Sequence, residues 1–121
     1  MPARSYYELT QTITADLAPL RNGLPRVMQG FGSLGKAAMA DGALDPKIKE
    51  LIALAIGVAV RCDGCIGFHS KALVRLGATQ DEVHEALGVA VYMGGGPSLM
   101  YAANATAAFA EFSDGSSVEA L

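Results

Sequence analysis

Apolar positions along this chain recur with a helical period. From Pro25 onward Val27, Met28, Phe31, Leu34, Ala38 and Met39 fall three or four residues apart, which marks one buried face of a helix. Alternating Val/Ile/Thr runs bounded by hairpin turns are missing, so the pattern predicts an all-α fold of about six helices. Leu51 to Val60 is apolar on every side, and a helix without a polar face has to be surrounded. Residues 46–61 are therefore expected at the centre of the domain. The next helix, 63–76, offers Ile66, Phe68, Ala72, Leu73 and Leu76 for burial, followed by a helix over 80–93. A Gly94-Gly95-Gly96-Pro97 break then leads into a small-residue helix over 98–112. Tyr92, Met93, Met100 and Tyr101 flank that break; they could line a substrate entrance, but apolar clusters at helix ends usually belong to the core.

Local punctuation agrees with the period. Ser5 with Glu8 and Thr79 with Glu82 both match the capping box, so helices should start near residues 6 and 80. Pro25 and Pro46 suit a first helical position, where a missing N–H costs nothing, and Asn22-Gly23, Gly42 and Gly77 are stop signals.

Composition adds an expectation about assembly. Apolar residues make up 51% of the 121 and charged ones 17%. That is more apolar surface than one domain over residues 1–121, with its core over 24–112 and a loose tail over 113–121, is expected to cover. Copies of the chain should cover the rest as a homo-oligomer. Small residues at 102, 103, 105, 107, 108 and 110 would let helices approach closely, so the 98–112 helix is expected at a subunit interface. The net charge of −3, with dispersed Lys and Arg, argues against nucleic acid or a membrane surface as partner. The apolar stretches are too short or too broken to span a bilayer, and no targeting pattern stands at the start, which points to the cytoplasm.

Reactive side chains gather in one place, Arg61-Cys62-Asp63-Gly64-Cys65-Ile66-Gly67-Phe68-His69. Residues three and four apart share a helix face, so Cys62, Cys65 and His69 line up. Cα atoms three apart in a helix are roughly 5 Å from each other, within the range a disulfide tolerates. The positive end of a helix also favours thiolate. If the preceding helix ends near Arg61 and the next folds back along it, Glu50 lies roughly 16 Å and His69 roughly 12 Å from the turn, facing each other. A proton path then runs from Glu50 through His69 to Cys65, with Cys62 nearer the surface. Redox use of the pair outweighs inert packing, the usual fate of solitary cysteines, and also metal binding. Zinc would find only three ligands in Cys62, Cys65 and His69, with Glu50 or His84 as conjectural fourths. His84 itself reads as a solvated first-turn residue.

At these residues the sequence resembles the alkylhydroperoxidase D-like and carboxymuconolactone decarboxylase superfamily. The similarity runs from about Asp45 to Ala105 and is carried by Asp45-Pro46-Lys47-Ile48-Lys49-Glu50-Leu51, Cys62-x-x-Cys65-x-x-x-His69, Gly77-Ala78-Thr79-Gln80-Asp81-Glu82-Val83 and Gly95-Gly96-Pro97. Glu50, twelve residues before the first cysteine, fits that pattern. The resemblance implies an all-helical fold assembled as trimers or hexamers, and a thiol-dependent reduction of a small peroxide or disulfide with no bound cofactor or metal. It also implies Cys65 as the attacking thiol and Cys62 as the one that resolves and meets an external dithiol reductant. The chain departs from the best-studied members at Gly64, where they carry a second histidine. Two other functions remain beside this one: a decarboxylase-like lyase with His69 as acid, and a non-catalytic oligomeric module. Only the thiol oxidoreductase needs both cysteines.

Overall fold

The computed structural model describes residues 5–115. Six helices follow one another, α1 (Tyr6–Gly23), α2 (Pro25–Ala38), α3 (Pro46–Ala59), α4 (Asp63–Arg75), α5 (Gln80–Gly94) and α6 (Gly96–Ser113), and no strand occurs among the described residues. The expected tail over 113–121 lies mostly outside the described residues; Ser113 still belongs to α6.

Most boundaries fall where the punctuation put them, although α2 ends at Ala38, short of Gly42, and Gly95 alone separates α5 from α6 where a four-residue break was expected. Ser5 accepts from the Glu8 N–H at the start of α1, and Thr79 and Glu82 close a full capping box at the start of α5. Pro25 and Pro46 open α2 and α3, with the Asp45 carboxylate accepting from the Ile48 N–H. Glu111 of α6 reaches the far end of the chain: its two carboxylate oxygens accept from the Tyr6 and Tyr7 N–H groups at 2.9 and 2.8 Å. A negative charge at that position satisfies two orphan amides and complements the positive end of α1. α1 is thereby pinned across the ends of α4 and α6.

The core joins α3 through α6. Leu54 and Val58 of α3 pack with Ile66 and Leu73 of α4, Val83, Leu87 and Ala90 of α5, and Ala102, Ala105, Ala108 and Phe109 of α6. The small residues of α6 thus serve packing inside the chain at 102, 105 and 108, while positions 103, 107 and 110 face outward. Three expectations need correction. α3 is encircled on one side only: Ile52 is 44%, Ile56 56% and Val60 64% exposed. α2 buries nothing within the chain, and its apolar face, with Val27 60%, Phe31 71% and Leu34 63% exposed, stands open. Phe68, Leu76, Tyr92, Met93 and Met100 are likewise exposed rather than core. Periodicity identifies an apolar face, but it carries no information on what covers that face.

Candidate functional site

The site is built at the corner where α3 becomes α4. α3 ends in a Schellman motif: the Arg61 N–H donates to the Val58 carbonyl at 3.1 Å and the Cys62 N–H to the Gly57 carbonyl at 2.9 Å. Arg61 occupies the left-handed position of that motif, φ 62°, where the equivalent turn after α4 uses Gly77 at φ 78°. No spacer follows. Cys62 closes the α3 motif with its N–H and is itself the N-cap of α4, its sulfur accepting from the Cys65 N–H at 3.1 Å. One residue therefore terminates one helix and starts the next, which places both cysteines at the amide end of α4.

Cys62 and Cys65 are joined by a disulfide, with Cα atoms 5.2 Å apart. Both are half-buried. Cys65 lies against α3 at Gly57, where an added Cβ would come 3.1 Å from the Cys65 Cβ, so the close approach of the two helices depends on that glycine. One helical turn beyond Cys65, His69 Nδ1 meets Glu50 Oε1 of α3 at 2.5 Å. The hairpin thus brings together all four residues singled out in the sequence, Glu50, Cys62, Cys65 and His69. The Glu50 side chain is 13% exposed and the His69 side chain 32%, so the carboxylate is the more enclosed partner. A carboxylate on Nδ1 fixes the ring's orientation and leaves Nε2 to exchange protons. His84 is exposed near the start of α5, beyond its first turn. Among the described residues no group of three or more His, Cys, Asp or Glu side chains is placed to hold a metal ion, and no helix is long and apolar enough to cross a membrane.

α1 supplies a part of the site that has no local sequence signal. It lies along α4 on the side of Gly64 and Gly67: a Cβ at Gly64 would come 2.9 Å from Ile13 Cδ1, and one at Gly67 2.7 Å from Thr10 Cγ2 and 3.4 Å from the Tyr6 ring. The space a side chain at position 64 would enter is taken by the end of the Ile13 side chain. Tyr6 also donates its hydroxyl to Asp63 Oδ1 at 2.9 Å, so the first of the two residues between the cysteines is tied to α1. Burial, then the Asp63 hydrogen bond and charge, hold the Tyr6 phenol well above the ordinary tyrosine range. A partner 57 positions away leaves no trace in spacing, which is why the sequence did not reveal it.

Six helices among the described residues, with a cysteine pair at a helix start and a Glu–His pair one turn on, define an all-α protein with a dithiol-type centre. The sequence model of the Carboxymuconolactone decarboxylase family matches residues 25–108, and the chain belongs to that family. It is similar to the apo form of a carboxymuconolactone decarboxylase family protein from Legionella pneumophila, 60% identical, with a TM-score of 0.87 over 89% of this chain and 96% of that one. A Thermotoga maritima protein of the same family, for which involvement in an antioxidative response has been suggested, is 32% identical, with a TM-score of 0.69 over 74% of this chain and 93% of that one. An uncharacterised protein of Cupriavidus necator is 40% identical over 80% of this chain and 86% of its own length. α1 precedes the span matched by the family model.

Proposed function

We propose that the protein is a thiol-dependent oxidoreductase that reduces a small peroxide or disulfide through Cys62 and Cys65. The observation that carries this reading is the disulfide at the amide end of α4, with the Glu50–His69 pair one turn further along the same helix. In the reduced form the Cys65 thiolate attacks one oxygen of a hydroperoxide. The O–O bond breaks, Cys65 becomes a sulfenic acid, and the second oxygen leaves as an alcohol after taking a proton. Cys62 then attacks the Cys65 sulfur as thiolate; hydroxide leaves and is protonated to water, and the Cys62–Cys65 bond forms. An external dithiol restores both thiols with two electrons and two protons and is itself oxidised to a disulfide. His69 takes the Cys65 proton and returns it to the departing alkoxide, with Glu50 orienting the ring and stabilising its charged form. No bound cofactor takes part in this cycle. A reversible dithiol suits a reducing compartment, and we place the protein in the cytoplasm. The suggested antioxidative role of the Thermotoga relative agrees with this chemistry.

We also propose that copies of the chain associate as a trimer or hexamer, since the open apolar faces of α2 and α3 need a partner of like character.

Mass spectrometry of the reduced protein after a small excess of peroxide tests the cycle. It should find a Cys62–Cys65 disulfide that a dithiol reverses. Cys62→Ser should stop at an oxidised Cys65 and Cys65→Ser should leave Cys62 reduced. His69→Asn should slow disulfide formation by about a hundredfold, the usual contribution of a proton-transfer group, and Glu50→Gln should slow it less, with the helical signal intact in both. Two thiols that stay free under peroxide would refute the reading.

A further inference from the structure

The Tyr6–Asp63 hydrogen bond takes no part in the cycle above, yet it ends on the residue next to Cys62. Asp63 is the first residue of α4 and Cys62 is its N-cap. Two groups that become anionic, the Cys62 sulfur and the Asp63 carboxylate, therefore share the positive end of one helix. A free carboxylate beside a thiol opposes its ionisation by like-charge repulsion. A hydroxyl donating to that carboxylate takes up part of its charge and fixes where it lies.

The phenol is delivered by a rigid mount. The Tyr6 amide donates to Glu111 at 2.9 Å, and the Tyr6 ring abuts α4 at Gly67, where no Cβ intervenes. Tyr101 and Glu111 also face the phenol, and both act with Asp63 to keep it protonated, so it remains a donor over the whole range in which a thiol titrates.

We propose that Tyr6 is a positioning residue for Cys62: by holding the Asp63 carboxylate on α1, it favours the Cys62 thiolate and makes the Cys62–Cys65 disulfide a readier electron acceptor. This rests on the reading of the pair as a redox centre. A thiolate stabilised in the dithiol form shifts the disulfide equilibrium toward reduction. α1, outside the span that the family model matches, thus tunes a centre built by the hairpin within it.

The test measures alkylation of Cys62 by iodoacetamide in the reduced full-length chain, resolved by peptide mass spectrometry across pH. Tyr6→Phe should slow Cys62 alkylation at neutral pH by about threefold and move its profile to higher pH. Asp63→Asn, which leaves the packing of α1 in place, should do the reverse, and Tyr6→Phe added to Asp63→Asn should change nothing further. Equilibration with glutathione should show the Tyr6→Phe disulfide about threefold harder to reduce. An unmoved profile in Tyr6→Phe would overturn the proposal. So would faster alkylation at every pH, alone and with Asp63→Asn, because that is the mark of a merely loosened α1. If the unsubstituted protein forms no reversible disulfide, the oxidoreductase reading falls, while the alkylation profiles of the reduced chain still decide the role of Tyr6.

Discussion

Arg61 shows how a single residue can carry strain at a place where the chain has little choice. Its φ of 62° belongs to the left-handed region, and the matching turn after α4 fills that position with Gly77. A non-glycine residue there costs about 1–2 kcal/mol, partly offset by the extra unfolded-state freedom that glycine brings. Arg61→Gly should therefore stabilise the fold by about 0.5–1 kcal/mol in urea unfolding. Tyr6 gives a pH signature at the same scale. Its phenol is raised above the ordinary value in the folded chain, by burial first and Asp63 second, so the folded state holds its proton where the unfolded chain has lost it. Stability from this source is fully present below the ordinary tyrosine pKa of 10.0 and declines as pH rises beyond it. Tyr6→Phe should remove that part of the alkaline decline in thermal melts taken above pH 10.0; an unchanged slope would show that the phenol ionises as freely folded as unfolded. Among these residues Cys62, Cys65, His69 and Glu50 were legible from spacing and resemblance. Arg61 in its strained turn and the Tyr6–Asp63 bond were not, because one depends on a backbone angle and the other on a partner from the opposite end of the chain.

At the scale of elements, α1 and the α3–α4 hairpin stand in contrast. The hairpin could be anticipated from local signals: Pro46 opens it, the cysteine pair marks the corner, and Glu50 and His69 pair at matching distances from the turn. The seat of α1 could not, since Gly64 stood out in sequence only as the place of a missing histidine and Gly67 carried no signal at all. Gly67 is the tighter of the two. A methyl there would stand 2.7 Å from Thr10 Cγ2, and Thr10 is 3% exposed and held by its hydroxyl to the Tyr7 carbonyl, so it has no room to turn aside. At Gly64 the opposing atom is the end of the Ile13 chain, which can rotate. Gly67→Ala should therefore lose about 1–3 kcal/mol from overpacking, whereas Gly64→Ala should lose clearly less, even though both alanines favour helix. Chemical denaturation of the two variants decides this, and equal losses would mean that α1 yields as a whole.

At the scale of the whole molecule, the helices and their order were legible, while the division between inside and outside was only partly so. Val27, Phe31 and Leu34 were read as buried because they are apolar and periodic, and Ile52, Ile56 and Val60 because their helix is apolar all round, yet the chain by itself leaves them open. The proposed association would reconcile the two. Sedimentation equilibrium at micromolar concentration should give three or six times the 12.5 kDa chain mass, and a persistent single-chain species would contradict it. α2 adds a consequence of a different kind. Fourteen residues that bury nothing are held at one end by Lys49, whose ammonium donates to the Ala38 and Ala40 carbonyls at 3.0 and 2.6 Å. A helix of that length is marginal in water unless its face is covered. Its amide protons should consequently exchange with deuterated solvent at a rate set by protein concentration, fast on dilution and slow when concentrated, while those of α3 to α6 keep one rate throughout. Helicity in α2 would then be a property of the population of molecules, conferred by neighbours, and dilution alone would melt it.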